Sequence, residues 1–598
     1  MNKRLSFFLK INFFITILIL VMFLVFNKEY TPLSFLLTLF GAISTAALLY
    51  LLVYILFFPL LFTNKIGFYV VGLVVGAINF IILSDFFIYK IFNFHINGMV
   101  LNILTSPDAF DSIQVGKSTI LAFIILVATF IILEIWLIRR VNEIRNAVDL
   151  NKRINKKIIL PLFLIVVGEK ITSGVFELLG KEEEISNLEV IPFYQPLPFS
   201  QLASYFGFKS DKVHLVVNRD SKIEYPLKSI EVEAKRAPFN IFIFGIDSLK
   251  YSILDKETAP NLMEFKKDAL WFNNHLSGGN STRFGIFSFF YGLNSNYWFN
   301  FLEENRGTLF FDVLKKLNYK ISVYSSTNTN WPEFKQTCYV DIKDMVKDRF
   351  EGESWQKDRK NLDAFLKDLN RTKDGPLFSF IFLDAPHGYS FPPNLNKFKA
   401  VKEEINYITI SPDSAELNNT IRQYKNAVYY DDKLFGEFIR ALKEKNLYDN
   451  SLIIFTSDHG QEFYEYGYFG HNTSFSMGQT HVPFVVKLPK GIEVDRNVTN
   501  KLTSHHDILP TLFGLLGVKA DPRAYSNGVD IFDRNSTKDY VFIANWSNSA
   551  IVTKDRIYIF STLKKETRDM EYNLLNEKVD RDILLKVNRE NIRFLKSN

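Results

Sequence analysis

The sequence predicts two joined architectures: an N-terminal α-helical transmembrane domain of about five spans, followed by an α/β domain with a central, mostly parallel sheet. Three observations predict this. Uncharged apolar runs too long for a soluble core crowd the chain before residue 180. Beyond about residue 236, short apolar runs alternate with helical stretches. Three of those short runs end in Asp or His, where open α/β sheets build their sites. With 598 residues the chain exceeds one ordinary domain, and the composition shift divides it into a membrane domain at 1–180, a linker at 181–236, an α/β domain at 237–540 and a closing C-terminal subdomain at 541–598.

The membrane elements follow in order. Ile11 to Phe26 is uncharged, comes after Lys3, Arg4 and Lys10, and is followed by NKEYTP instead of a small-residue cleavage site, so it reads as a retained signal anchor. Thr31 to Thr63, Ile66 to Ser84 and Ser118 to Ile138 supply three further spans, the last interrupted once by Glu134. The fifth, at 158–180, carries Glu169 and Lys170, either a mutually neutralising pair facing the bundle or a polar site for lipid or a partner. Residues 139–157 hold seven Lys or Arg (Arg139, Arg140, Arg145, Lys152, Arg153, Lys156 and Lys157) against Glu143 and Asp149, which makes that loop cytoplasmic. If the fifth segment crosses, everything after it lies in the periplasm, and the acidic KEEE at 181–184 favours crossing.

The net charge of +6 resides largely between apolar runs, as membrane topology requires, so no nucleic-acid partner is expected. The single cysteine, Cys338, excludes an intrachain disulfide framework and any CxxC metal site. The linker region 186–236 carries Lys209, Lys212, Arg219, Lys222, Lys228, Lys235 and Arg236, either a solvated loop or a surface for lipid phosphates.

In the second half, FNIFIFGID ends at Asp247, LFSFIFLDAPH at Asp384 and His387, and SLIIFTSDH at Asp458 and His459. One Asp after a strand is usually a turn or cap residue, whereas three such ends in one sheet form a convergent ligand set. HLSGGNSTRFGIFSFFYGL, at 275–293, runs from a Gly/Ser/Asn turn into an apolar helix. Ser281 and Thr282 then lie at a helix N-terminus, as caps or as a nucleophile beside an anion site.

These segments, with APNLMEF, NAVYYDDKLFGEF, GHNTSFSMGQTHVPFVV and SHHDILPTLFGLLGV, resemble the alkaline phosphatase superfamily. The likeness lies in the branch of sulfatases and envelope phosphoethanolamine and phosphoglycerol transferases. The membrane part, through FNFHINGMVLNILTSP and VIPFYQPLPFSQLASYFG, is similar to YejM/PbgA-type inner-membrane proteins.

That resemblance implies an alkaline-phosphatase-like (sulfatase) fold and an inner-membrane protein whose C-terminal domain is periplasmic. Counting back from Gly292 in the family's nucleophile element gives Thr282. Asp247, Thr282, Asp458 and His459 then form the metal set, and His471 and His387 contact the substrate or its leaving group. One divalent metal is implied; these ligands suit zinc or manganese, with magnesium and calcium as alternatives. The C/S-x-P-x-R motif of formylglycine sulfatases is absent, which argues against sulfate-ester hydrolysis by that route, and the disulfides that brace phosphoethanolamine transferases cannot form. Two functions follow: a metal-dependent hydrolase or transferase acting through the Thr on a phosphorylated envelope lipid or glycan, or a regulator of envelope lipid synthesis that binds lipopolysaccharide or anionic phospholipid and a membrane-protein partner with little catalysis. His275, His481 and the His505-His506 pair read as structural, with His275 the one most worth testing.

Overall fold

A computed structural model describes residues 3–596 except 28, 63–65, 107–115, 144–146, 201–202, 204–205, 207–214, 234–236, 372–374 and 408. The chain divides into two compact units, one comprising 1–98, 116–212 and 561–565 and the other 99–115, 213–560 and 566–598. Arg145, the side chains of Lys152, Arg153 and Lys156, and Lys209, Lys212, Lys235 and Arg236 lie outside the described residues.

The first unit is helical: α1 (Lys3–Met22), α2 (Pro32–Leu56), α3 (Ile66–Phe92), α5 (Lys117–Glu143), α6 (Ala147–Leu179) and the short α7 (Glu182–Ile185). The intervening α4 (Gly98–Thr105) belongs, from Met99 on, to the second unit. Five helical stretches are long and apolar enough to cross a membrane: Arg4–Phe26, Pro32–Leu56, Gly67–Phe92, Thr119–Val141 and Lys157–Leu179. Thr31 opens α2 with a capping box, its hydroxyl accepting from the Ser34 amide. Thr16 of α1 bonds Tyr50 of α2 at 3.1 Å and Asn79 of α3 at 2.5 Å, and Asn79 donates to Asn12 at 2.9 Å, so hydrogen bonds stitch three helices where lipid offers no apolar drive.

The fifth stretch accommodates Glu169 and Lys170 by closing them on each other. Lys170 Nζ lies 3.2 Å from the Glu169 carboxylate and donates to the Gln195 carbonyl at 2.8 Å, while Tyr194 OH donates to Glu169 at 2.6 Å. Past the spans, His95 bridges Asp85 (2.6 Å) and the Glu189 carbonyl (2.8 Å). The Glu189 carboxylate accepts from Ser561, and Lys565 pairs with Glu182, so 561–565 belongs to this unit.

The second unit is built on a seven-stranded sheet of β1 (Asn240–Ile246), β2 (Leu270–Trp271), β4 (Lys320–Ser325), β5 (Val346–Lys347), β6 (Leu377–Leu383), β7 (Ser451–Ser457) and β10 (Phe484–Lys487), in the order β2-β10-β7-β1-β6-β4-β5. β7, β1, β6, β4 and β5 run parallel, and β10 and β2 pair antiparallel at one edge. Two parallel or antiparallel strand pairs, β3 (Asn274–Leu276) with β11 (Leu502–Ser504) and β8 (Glu462–Phe463) with β9 (Phe469–Gly470), flank the site. A five-stranded sheet of β12 (Val541–Ala544), β13 (Ser549–Val552), β14 (Ile557–Phe560), β15 (Lys565–Arg568) and β16 (Leu574–Leu575) closes the fold.

β1 is buried along its whole length, so its residues alternate between two apolar cores, Ile241 and Ile243 on one face and Phe242, Phe244 and Ile246 on the other. The long helix Ala415–Glu444 covers the second face. From it Asp432 accepts the amides of Asn261 (2.9 Å) and Leu262 (2.8 Å), capping the Pro260–Phe265 helix from a distance. Asp432 is 2% exposed, so Asp432→Ala strands these donors in the interior. A loss of about 2–4 kcal/mol is expected, read as a lower thermal midpoint with membrane extraction unchanged.

Candidate functional site

Register alone assembles the acidic edge. Ile246 pairs with Leu383 of β6 and Ser457 of β7, so the next residue of each strand, Asp247, Asp384 and Asp458, stand abreast. Left-handed backbone follows at Ser248 (φ 62°), Tyr389 (φ 47°) and Asn472 (φ 61°), turning the chain sharply just after Asp247, His387 and His471. Such conformations cost of order 1 kcal/mol in a non-glycine residue and persist where surrounding bonds hold them. Ser248 is held by its amide to Asp458 Oδ1 (3.2 Å) and its hydroxyl to Asp247 Oδ1 (2.9 Å).

Thr282 is the first residue of the helix Thr282–Tyr291. Ser281 is its N-cap but makes no side-chain cap bond, so neither hydroxyl is spent on capping. Instead Thr282 Oγ1 lies 3.4 Å from Asp247 Oδ2 and 3.2 Å from His459 Nε2. The helix reaches β7 because Gly285 has no side chain: a Cβ there would stand 2.2 Å from the Asp458 carbonyl. Its far end closes at Gly292, φ 64°.

Asp247, Asp458 and His459 are 3%, 2% and 0% exposed, and each offers a ligand atom within 4.8 Å of the others. His459 Nδ1 lies 2.9 Å from the Gly460 carbonyl, which assigns the ring proton to Nδ1 and leaves the Nε2 lone pair facing the carboxylates. Nε2 is 3.3 Å from Asp458 Oδ2, a buried atom without a hydrogen-bond partner among the described residues. Converging lone pairs with no lysine or arginine between them, in these described residues, fit a divalent cation. The four residues expected as a metal set are thus brought together, and His387 and His471 stand over them with ring centroids 5.4 Å apart.

A second donor set comes from strand ends that were read as convergent but not assigned to the metal: Asp247, Asp384 and His387 also lie within 4.8 Å of one another, sharing Asp247 with the first. The D-x-x-H spacing of Asp384 and His387 was the available signal. Behind it, Ser354 donates to Asp384 at 2.6 Å, and Asp358 accepts the amides of Asp384 (2.9 Å) and Ala385 (2.7 Å). Ser354 and Asp358 lie within the helix Ser354–Arg371 and carry no motif that announces them.

The charges respond to burial. Burial, then the neighbouring Asp458, pushes the Asp247 carboxyl up to about 7, and burial likewise lifts Asp458 to about 7. Burial opposes the charged form of His387, but Asp247, Asp384 and Asp458 outweigh it and raise it to about 10. His471 is held well below the ordinary range by burial, then by His459 and His387, and its Nδ1 faces Gln461 at 3.1 Å. His275 is buried against Thr503 (3.0 Å) and stacked on Phe484, His481 stacks on Tyr251, and His505 faces the Gly285 carbonyl. Cys338 is buried, which pushes its thiol up.

Carboxyls raised from near 4 to about 7 bind more protons folded than unfolded. Stability from this pair is therefore present below pH 4 and lost as pH rises through 7. The chelator-treated protein is expected to melt higher at pH 5.5 than at pH 8, a gap that a divalent cation closes and Asp458→Asn narrows, as scanning fluorimetry would measure.

The family model for Sulfatase matches residues 241–518, and that for DUF3413, a domain of unknown function, matches residues 3–232. Inner membrane protein YejM of Salmonella typhimurium is 25% identical over 381 residues, covering 62% of this chain and 58% of its own length. An uncharacterized protein of Haemophilus influenzae is 26% identical over 60% of this chain and 54% of its own. The chain thus spans little more than half the length of these curated relatives. Among solved structures, lipooligosaccharide phosphoethanolamine transferase A from Neisseria meningitidis superposes with a TM-score of 0.59 over 89% of this chain and 98% of its own, at 16% identity. The chain is thus similar to the Sulfatase family over residues 241–518, to DUF3413 over residues 3–232 and to inner membrane protein YejM over 62% of its length.

Proposed function

We propose that the chain is a metal-dependent phosphoester hydrolase or phospho-group transferase whose nucleophile is Thr282 and whose substrate is a phosphorylated envelope lipid or glycan. The observation that carries this reading is Thr282 Oγ1 itself, within 3.4 Å of Asp247 and His459 and not spent on capping its helix. Asp247, Asp458 and His459, with Thr282, would hold one divalent metal, and Asp384 with His387 enlarges the donor set. A cation held there supplies positive charge that favours the Thr282 alkoxide and offsets charge on the phosphoryl oxygens.

The chain's own groups divide the remaining work. The positive end of the Thr282–Tyr291 helix would favour an anion beside the hydroxyl. Thr282 gives up its proton to solvent and attacks phosphorus in line as the alkoxide, the ester oxygen opposite departs, and a phosphothreonine forms. His387, kept protonated by the carboxylates around it, gives its proton to the departing oxygen. His471, kept neutral, accepts a proton from the water or acceptor hydroxyl that resolves the phosphothreonine. With a cation held there, the acidic edge would suit a phosphate dianion or diester.

A second reading, a lipid-binding regulator of envelope lipid synthesis with little turnover, is favoured by the match of 3–232 to DUF3413 and by likeness to YejM. It would place lipopolysaccharide or anionic phospholipid, and a membrane-protein partner, against a periplasmic C-terminal domain. The two readings part on one measurement. Purified full-length protein with bound divalent metal is expected to hydrolyse a chromogenic phosphodiester or phosphomonoester, and Thr282→Ala to lose about 1,000-fold or more in kcat while keeping its metal. Metal-loaded wild type without turnover, with Thr282→Ala fully functional in cells, would leave the regulator. His387→Ala is expected to slow esters with poor leaving groups by about 100-fold and activated nitrophenyl esters far less, as comparison of the two substrates would reveal.

A further inference from the structure

Glu134 interrupts the apolar stretch Thr119–Val141 seven residues before its end, which at the rise of an α-helix puts the carboxyl about 10 Å inside hydrocarbon. It lies on the protein-facing side of α5 with Ile138 and Val141, which are buried, while Ile132, Leu133 and Trp136 beside it are 65%, 54% and 53% exposed. Gly76 of α3 makes room for the acid: a Cβ there would stand 3.1 Å from Glu134 Cγ. Among the described residues no lysine, arginine or histidine pairs with the carboxylate, and its partner is Asn12 of α1, whose Nδ2 donates to Oε2 at 3.5 Å. An acid held in lipid without a cation marks a functional group.

Behind Asn12 every hydrogen bond runs the same way. The amide turns its NH2 to the carboxylate, so its Oδ1 faces the other side and accepts from Asn79 Nδ2 at 2.9 Å. Asn79 Oδ1 in turn accepts from Thr16 Oγ1 at 2.5 Å. Thr16 has one proton, and having given it to Asn79 it accepts from Tyr50 OH at 3.1 Å. Donors on α1, α2 and α3 therefore point in series at one carboxylate on α5, a polarity that fits a carboxylate and not a carboxylic acid. The series has a second arrangement built in, because Thr16 Oγ1 also lies 2.9 Å from the Asn12 backbone carbonyl. A protonated Glu134 would donate to Asn12 Oδ1, both amides would turn over, Asn79 Nδ2 would donate to Thr16, and the Thr16 hydroxyl would swing to that carbonyl. Every member stays satisfied, and the two arrangements differ by one proton.

We propose that Glu134 is a proton-binding site of the membrane unit, and that the proton it takes from water is passed on to α1 and α3 as a reversal of the Asn12–Asn79–Thr16 series. The inference is independent of the phosphoester reading, since all of its residues belong to the first unit. From α1 and α3, packed against it, Glu134 faces the neutral Asn12 and Gly76, and the titratable group that feels its charge is Tyr50 of α2, at the head of the series. The charged groups of the same helices, Arg4 and Lys10 on α1, Asp85 and Lys90 on α3, and Arg139, Arg140 and Glu143 on α5, make no ion pair with it. The end of α5 that carries the basic loop 139–157 is the nearer source of protons.

The test is infrared difference spectroscopy of the full-length protein in phospholipid vesicles, stepped in pH at constant sodium. The carbonyl stretch of a protonated carboxyl is expected to appear on acidification of wild type and to be lost in Glu134→Gln, which keeps the size of the acid. Thr16→Val removes a hydroxyl that touches Asn79 and not Glu134, and is expected to move the midpoint of that signal by about half a pH unit. A midpoint indifferent to Thr16→Val would overturn the series, and no Glu134-dependent signal over the pH range in which the protein stays folded would overturn the site. A signal that follows sodium at fixed pH would make this a sodium site and would also overturn the proposal. Where Glu134→Gln fails to fold, isotope-labelled glutamate in wild type assigns the signal by its shift, and the Thr16→Val comparison then decides.

Discussion

Three carboxylates abreast at one edge of a sheet repel each other, and burial removes the water that would screen them. This is the constraint on which the second unit turns. β1 lies between β6 and β7, each of the three strands stops at an Asp, and the parallel register allows no offset between them. The fold answers with local devices: the Ser248 amide and hydroxyl facing Asp458 and Asp247, the Ser354 hydroxyl donating to Asp384, and His387 charged beside Asp384. What these leave unbalanced is the ligand field that suits a divalent cation.

The same constraint explains why so much of the surroundings is aromatic and close packed. The Thr282–Tyr291 helix approaches the end of β7 only through Gly285, and its other faces are filled by Phe284, Phe287, Phe289 and Phe290, all buried. Rings have few rotamers to lose and much area to bury, so they hold a helix terminus against repelling charges without adding donors that would neutralise the site. The sheet's two faces, one packed under this helix and the other under Ala415–Glu444, act as rigid backing.

Much of this was legible in the sequence because it repeats a simple rule: a buried parallel strand is a continuous apolar run, and the residue that ends it faces the site. FNIFIFGID, LFSFIFLDAPH and SLIIFTSDH each obey it, and the three long uncharged runs and the anchor announce the spans as plainly. Thr282 over Ser281 was reachable by resemblance and not by periodicity, since both sit at one helix start. Asp384 was visible as a strand end, yet its role as a shared donor depends on the β1–β6 register, which no local pattern encodes. Asn102, Arg283 and Glu333, which bond one another, were illegible for a different reason: their partners lie 181 and 231 residues away, and an Asn in an apolar octet reads as a blemish in a membrane-proximal helix. The Glu169-Lys170 pair, by contrast, closes on itself as neighbouring opposite charges suggest.

The two units are interleaved in the chain, not strung along it. The second unit borrows 99–115 from between two spans, and the membrane unit borrows 561–565, from the end of β14 to the first residue of β15. A cut at the linker therefore yields no clean halves: a soluble fragment beginning near residue 237 leaves Asn102 behind, and a membrane fragment ending there leaves Glu189 and Glu182 without Ser561 and Lys565. Exchange of genetic material at that boundary would break hydrogen bonds in both products. The joint is thus hard for recombination to cross, and head and anchor are expected to be inherited together.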